Sequence, residues 1–199
     1  MVRMEKHVLH HFSLVDPILY AVAKEKGILP VKGGNDPFSD LCNAIVCQQL
    51  SDKAGTAIWK KFEALFSSSP TPHAVLEKSV ETLRKSGVSQ SKAQYIQNIA
   101  KAFIDGTVEP KKFSGMTDEE IISHLVIIKG VGKWTAEMFL IFSLGRPDVF
   151  SCGDLGLRKG IQKLYGLKKL PEEKQLLRLT KKWSPYRSYA SLLLWKSLD

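Results

Sequence analysis

Residues 125–160 place the tightest limits on how this chain folds. They read L-V-I-I-K-G-V-G-K-W-T-A-E-M-F-L-I-F-S-L-G-R-P-D-V-F-S-C-G-D-L-G-L-R-K-G. Apolar residues at helical spacing run into Ile128, and a second helical pattern begins near Lys133. Only a few residues around Gly130, Val131 and Gly132 separate the two, which predicts a tight hairpin over about 125–137. Glycine reaches backbone angles closed to other residues and lets another backbone approach closely. The N–H groups of the first turn of the second helix, around Gly132, Lys133 and Trp134, find no acceptor within that helix and face outward as a ready anion site. Nucleic-acid phosphate suits it, because backbone donors grip phosphate without reading sequence. An ordinary helix turn with a glycine C-cap has the same local pattern. Lys133 beside the turn and the lone acid Asp154 downstream favour the anion site.

The rest of the chain is patterned to match. Asp16 and Pro17 form an N-cap and first helical position, with Gly27 as the stop. A largely apolar helix is predicted over 38–47. Ser51 caps the next, which carries Ala54, Ala57, Ile58, Phe62 and Leu65 at helical spacing. Short helices follow over 73–78 and 80–85, then a longer one over 92–105. Thr117 with Glu120 is a capping box that opens the helix leading into the hairpin. Residues 134–144 are apolar nearly all round, as in a central buried helix. Further helices are expected over 155–165, 171–182 and 185–198. No convincing alternation of β type, no internal repeat and no Gly/Ser/Pro linker interrupts the series, so the fold class is all-α.

Composition narrows the partners. The chain has 199 residues and a formal net charge of +9 at pH 7, which favours a polyanion. No apolar run approaches the roughly 18 residues of a membrane span, and 1–11 lacks the apolar core of a signal peptide. Cys42, Cys47 and Cys152 form an odd set without metal-ligand spacing, read as reduced thiols in the cytosol. His7 and His11 lie one helical turn apart with no third ligand near, so no metal site is assigned to them.

Three separated stretches carry a family resemblance: the hairpin with Asp154; Asp36-Pro37-Phe38 with Ala44-Ile45-Val46-Cys47-Gln48-Gln49-Leu50-Ser51-Asp52-Lys53-Ala54; and Trp183-Ser184-Pro185-Tyr186-Arg187-Ser188-Tyr189-Ala190 ending in Trp195. Over 36–198 the chain resembles the helix-hairpin-helix (HhH-GPD) DNA glycosylases, specifically the 3-methyladenine DNA glycosylase II, or alkylbase, branch. The resemblance implies two helical lobes with a cleft between them: a central lobe over 36–145, and a second built from 1–35 with 146–199. A chain of this length leaves no room for the N-terminal β domain of some members, and it lacks the four C-terminal cysteines that hold an iron–sulfur cluster in others. No cofactor is implied as a requirement.

By resemblance, Asp154 is the catalytic acid and stands at the family spacing from the hairpin. An ionised carboxylate there stabilises the positive charge that develops on the sugar as the base leaves. It also orients or deprotonates the attacking water. Capping the helix that begins there is compatible with that role. Trp134 stands where strand-cutting relatives carry a Schiff-base lysine, so a monofunctional enzyme is implied. Trp134 and Trp195 match the aromatic residues of the base pocket, where electron-rich rings suit a cationic alkylated purine; core tryptophans are the alternative. Gln49, with Ser51 beside it, matches the turn that enters the minor groove and fills the gap left by the flipped nucleotide; glutamines that merely bond the turn are the alternative. Phosphate contacts are expected from Gly130, Gly132, Lys133, Thr135, Lys53 and Lys92. The carbonyls of Val126, Ile128 and Val131 match those that hold a monovalent cation, Na+ or K+, when DNA is bound.

The chain departs from the family pattern at Lys129, Ser151, Gly153 and Met138, which bears on substrate range. The expected partner is double-stranded DNA containing damaged bases, with no membrane, acting as a monomer. It would work in the cytoplasm or nucleoid of a prokaryote or the nucleus of a eukaryote. The activity implied is a DNA-3-methyladenine glycosylase II type hydrolase of base excision repair. A non-catalytic damage-binding relative and a bifunctional glycosylase/lyase are the rivals.

Overall fold

The computed structural model describes residues 2–198. Among these, helices and loops account for the whole fold and no strand occurs. The helices are α1 (Val2–Val15), α2 (Pro17–Lys26), α3 (Pro37–Cys47), α4 (Asp52–Glu63), α5 (Pro72–Leu76), α6 (Val80–Arg84) and α7 (Gln90–Ile104). They continue as α8 (Asp118–Val126), α9 (Lys133–Phe142), α10 (Leu155–Leu164), α11 (Glu173–Thr180) and α12 (Arg187–Lys196). None is long and apolar enough to cross a membrane. The chain divides into two compact units, Gly34–Leu144 and Met1–Gly33 with Gly145–Asp199.

In the unit Gly34–Leu144, α3 is the hub and packs on α4, α7 and α9. Leu41, Ile45, Ile96, Ile99, Leu125 and Leu140 are fully buried. Removing each such side chain from water stabilises the unit by roughly 1.5–3 kcal/mol. The ends of the unit meet where Gly34 N donates to Ser143 O at 2.8 Å. Beside them the Ser143 hydroxyl donates to Asp40 at 2.6 Å. Side chains cap α3 through α8 in turn: Asp36, Ser51, Thr71, Ser79, Ser89 and Thr117. The Thr117–Glu120 capping box is formed as expected.

In the other unit, α10 packs on α12, and α2 packs on both α1 and α12. Val8, Phe12, Leu19, Leu157, Ile161 and Trp183 belong to one buried cluster. Helix α1 is an addition to the expected elements. Its fully buried residues, Val8 and Phe12, lie one turn apart on a face that is otherwise half exposed. Such a stripe is too thin to stand out in the sequence. Asp16 and Gly27 bound α2 as predicted. A turn of 3-10 type, Lys181–Trp183, follows α11.

Candidate active site and nucleic-acid interface

Asp154 is the N-cap of α10. Its Oδ1 accepts the Leu157 N–H at 2.7 Å and the indole N–H of Trp195 at 3.0 Å. The residue is 8% exposed. The neighbours on either side are open: Gly153 is exposed, and Leu155 is 51% exposed. Oδ1 is therefore fixed from below by the helix and from the side by an aromatic ring. A capping carboxylate is favoured at a helix N-terminus both by hydrogen bonding and by the macrodipole.

Helices α10 and α12 place that ring. A Cβ at Gly156 would stand 3.0 Å from Trp195 Cδ1 and Nε1 and 3.1 Å from Asp154 Oδ1. One turn on, a Cβ at Gly160 would stand 2.9 Å from Leu194 O. Two glycines on one face of α10 let α12 approach closely enough for the indole to reach the acid. The segment that enters this region is stitched to the start of α12 through Asp148. Its carboxylate accepts Arg187 Nε at 2.8 Å and Nη2 at 3.0 Å, with Ser184 Oγ at 2.7 Å. Burial pushes the Asp148 pKa up, but the hydrogen bonds from Arg187 and Ser184 outweigh it and hold the carboxyl below its ordinary range. These partners of Asp148 lie too far along the chain to read from spacing.

The hairpin lies in the unit Gly34–Leu144. Gly130 has φ +109, and a Cβ there would stand 2.1 Å from Tyr95 Cγ, so only glycine fits. The turn makes no such demand at Gly132. Gly132 is extended, with φ −90 and ψ 171, and meets nothing within 4 Å where a Cβ would stand. Its bare face is open space that another backbone can enter. Gly132 is also the N-cap of α9, which has no side-chain cap. The Lys133 ammonium is exposed and lies 3.9 Å from Glu137 Oε1. Trp134 is 38% exposed in the first turn. Glu137, 6% exposed, is an acid on the helix expected to be apolar all round.

Three expected contacts take a different form. The Thr135 side chain is buried, and its hydroxyl accepts Gln48 Nε2 at 2.8 Å, so a phosphate can meet only its backbone N–H. The Lys92 ammonium is turned inward, donating to Val46 O at 2.8 Å and Gln48 O at 2.7 Å. Of the carbonyls expected to face a cation, Ile128 O already accepts the Val131 N–H at 2.9 Å, which leaves that oxygen one further lone pair. Lys53 is exposed on α4, and Ser51 caps that helix through Ala54 N. Gln49 is exposed at the tip of the α3–α4 turn, with φ +58.

The structure thus brings Asp154 and Trp195 into contact within one unit. In the other it gathers Gln48, Gln49, Lys92 and Thr135 beside the α9 N-terminus, which holds Lys133 and Trp134.

Known proteins share this fold. The HhH-GPD superfamily of base excision DNA repair proteins matches residues 42–185. The DNA-3-methyladenine glycosylase 1 of Schizosaccharomyces pombe is 36% identical over 165 residues, covering 81% of this chain and 72% of that protein. The structure of the S. pombe 3-methyladenine DNA glycosylase Mag1 in complex with abasic DNA superposes with a TM-score of 0.87 at 33% identity, covering 96% of this chain and 95% of that one. A DNA-3-methyladenine glycosidase from Bacillus halodurans superposes with a TM-score of 0.81 at 37% identity, covering 94% and 86% of the two chains. With the match spanning the α3–α4 turn, the hairpin and the acid that caps α10, this chain belongs to the HhH-GPD superfamily of base excision DNA repair proteins.

Proposed function

We propose that this protein is a monofunctional DNA glycosylase of base excision repair. It flips an alkylated purine of the 3-methyladenine type out of duplex DNA and hydrolyses the N-glycosidic bond, leaving an abasic site. The observation that carries the reading is Asp154: a carboxylate that caps α10, is braced by the Trp195 indole and is flanked by exposed residues. A cationic alkylated purine departs as a neutral base, taking the bonding electron pair and leaving positive charge on the sugar. Asp154 stabilises that charge and directs the water that adds to the sugar carbon, whose proton passes to the carboxylate or to solvent.

The other residues take supporting roles. Trp134 and Trp195 are the candidate aromatic residues for the cationic base, whose charge an electron-rich ring attracts. Gln49 fills the stack at the tip of its turn, with Ser51 beside it, offsetting part of the few kcal/mol that flipping costs. The hairpin backbone at Gly130, Gly132 and Thr135, with Lys133 and Lys53, grips phosphate. The Val126, Ile128 and Val131 carbonyls are neutral oxygens that suit a monovalent cation. No amine stands at position 134 to form a Schiff base. DNA as partner is supported by the +9 charge of the chain and by the Mag1 relative, which was solved with abasic DNA.

The test is base release from methylated duplex DNA, wild type beside Asp154→Asn, with products identified by chromatography. Wild type releases 3-methyladenine, and the variant is slower by about a hundredfold or more. Equal rates would remove Asp154 from the chemistry. Binding of abasic duplex with no release by either protein would make the chain a damage-binding module. Trapping of a covalent DNA complex by borohydride would reveal a lyase.

A further inference from the structure

The α3–α4 turn is held more firmly than a surface turn needs to be. Helix α3 ends at Cys47, and its last carbonyls have no partner within the helix. Lys92, in the first turn of α7, reaches across and donates to two carbonyls there, Val46 O at 2.8 Å and Gln48 O at 2.7 Å. Cys47 O, between them, accepts the Leu50 N–H at 3.2 Å. An ammonium at a helix C-terminus also meets the negative end of the macrodipole. The contact is half-buried, and burial pushes the Lys92 pKa down, with the Cys47 sulfur partly offsetting it.

A second tether leaves from the same residue. Gln48 Nε2 donates to Thr135 Oγ1 at 2.8 Å. Thr135 lies in the first turn of α9, directly after the hairpin. The main chain of Gln48 is thus fastened to α7 and its side chain to α9. Beyond it, Gln49 takes φ +58, and Leu50 is 38% exposed. A left-handed conformation at a residue other than glycine is strained and persists where the surroundings enforce it.

We infer that Lys92 is a positioning residue, which locks the Gln48–Leu50 turn to the hairpin helix so that groove-filling tip and phosphate grip meet DNA as one rigid piece. It does so through carbonyls of its own chain rather than by touching phosphate. The inference rests on the glycosylase reading, in which this turn enters the duplex. A displaced tip would still permit binding through the hairpin but would flip the base less often.

The experiment separates the two roles of the lysine. Wild type, Lys92→Met, Lys92→Arg and the near-isosteric Thr135→Val are compared in two measurements. The first is affinity for an abasic duplex across a salt series. The second is single-turnover base release with enzyme in saturating excess. A residue that neutralises one phosphate contributes about 0.9 to the slope of log affinity against log salt. The expected result is an unchanged slope for Lys92→Met, with base release slower by roughly tenfold. Lys92→Arg, whose fork can reach two carbonyls, recovers most of the rate. Thr135→Val shows the same split of rate from affinity to a smaller degree, and it carries the test alone if Lys92→Met does not fold. A slope reduced by about 0.9 with release at the wild-type rate makes Lys92 a phosphate contact and overturns the inference. So does wild-type release by both Lys92→Met and Thr135→Val. A wild type that releases no base refutes the glycosylase reading, and the inference falls with it. An active wild type with unaffected variants refutes the inference alone.

Discussion

Two aspartates in the same unit are built from the same parts and end in different states. Asp16 caps α2 and Asp154 caps α10; each accepts the N–H of the residue three places on, at 3.1 and 2.7 Å. Each also accepts an indole N–H from far along the chain, Trp183 at 2.7 Å and Trp195 at 3.0 Å. Asp16 then gains the Tyr165 hydroxyl at 2.5 Å and the Lys182 ammonium at 3.1 Å, and is 1% exposed. Asp154 is 8% exposed, between Gly153 and Leu155, which are both open to solvent. The indole and helix N–H that orient the Asp154 carboxylate are neutral donors, while one of the donors to Asp16 is an ammonium. An aspartate that caps a helix and meets a tryptophan is therefore not yet a catalytic acid. What surrounds the rest of the carboxylate decides.

Substitutions at the two acids put this contrast to the test. Asn caps a helix about as well as Asp, so Asp154→Asn melts near the wild-type temperature while base release falls by about a hundredfold or more. A large loss of stability in that variant would make Asp154 a second Asp16. Asp16→Ala leaves Trp183, Tyr165 and Lys182 without their shared acceptor. It is expected to cost about 3–5 kcal/mol in urea unfolding, with base release per folded molecule unchanged.

Acid sharpens the comparison further. Burial raises the Asp16 pKa, but the bonds from Tyr165, Trp183, Leu19 and Lys182 outweigh it and hold the carboxyl below its ordinary 3.8. A depressed pKa in the folded state stabilises the fold above the unfolded value and loses that contribution as pH falls through the folded one. Wild-type stability should therefore drop steeply below about pH 4. Asp16→Asn should flatten that drop without abolishing it, because Asp148 is shifted the same way. An unchanged slope would mean that Asp16 carries no charge-dependent stability.

The smallest effect is expected at Gly156. Alanine there sets a methyl group 3.0 Å from the Trp195 ring and 3.1 Å from Asp154 Oδ1. It also regains up to about 1 kcal/mol of helix propensity. Base release should slow severalfold with stability nearly unchanged. Wild-type release would show that the indole need not sit against the acid.

Sequence alone determined the features whose causes are local. Asp16, Ser51 and Thr117 cap their helices, and Gly27 ends α2, because a cap is made within a few residues. The all-α class and the hairpin at Gly130 follow from apolar periodicity and one backbone angle that only glycine accepts comfortably. Asp154 was legible as a helix cap at a recognisable spacing from that hairpin. Tertiary structure decided the rest, since the partners are distant in the chain. Helix α1 exists as a packed element because Val8 and Phe12 find a core. Lys92, one basic residue among many in sequence, is drawn inward by carbonyls at 46 and 48. Gly132 proved free of steric demand, so its value is the open space beside it. Asp16 is enclosed by Trp183, Tyr165 and Lys182, and Asp154 meets Trp195, only once folding has brought those side chains near. Hydrogen bonds and burial act over a few ångströms in space, and the order of residues along the chain does not fix that distance.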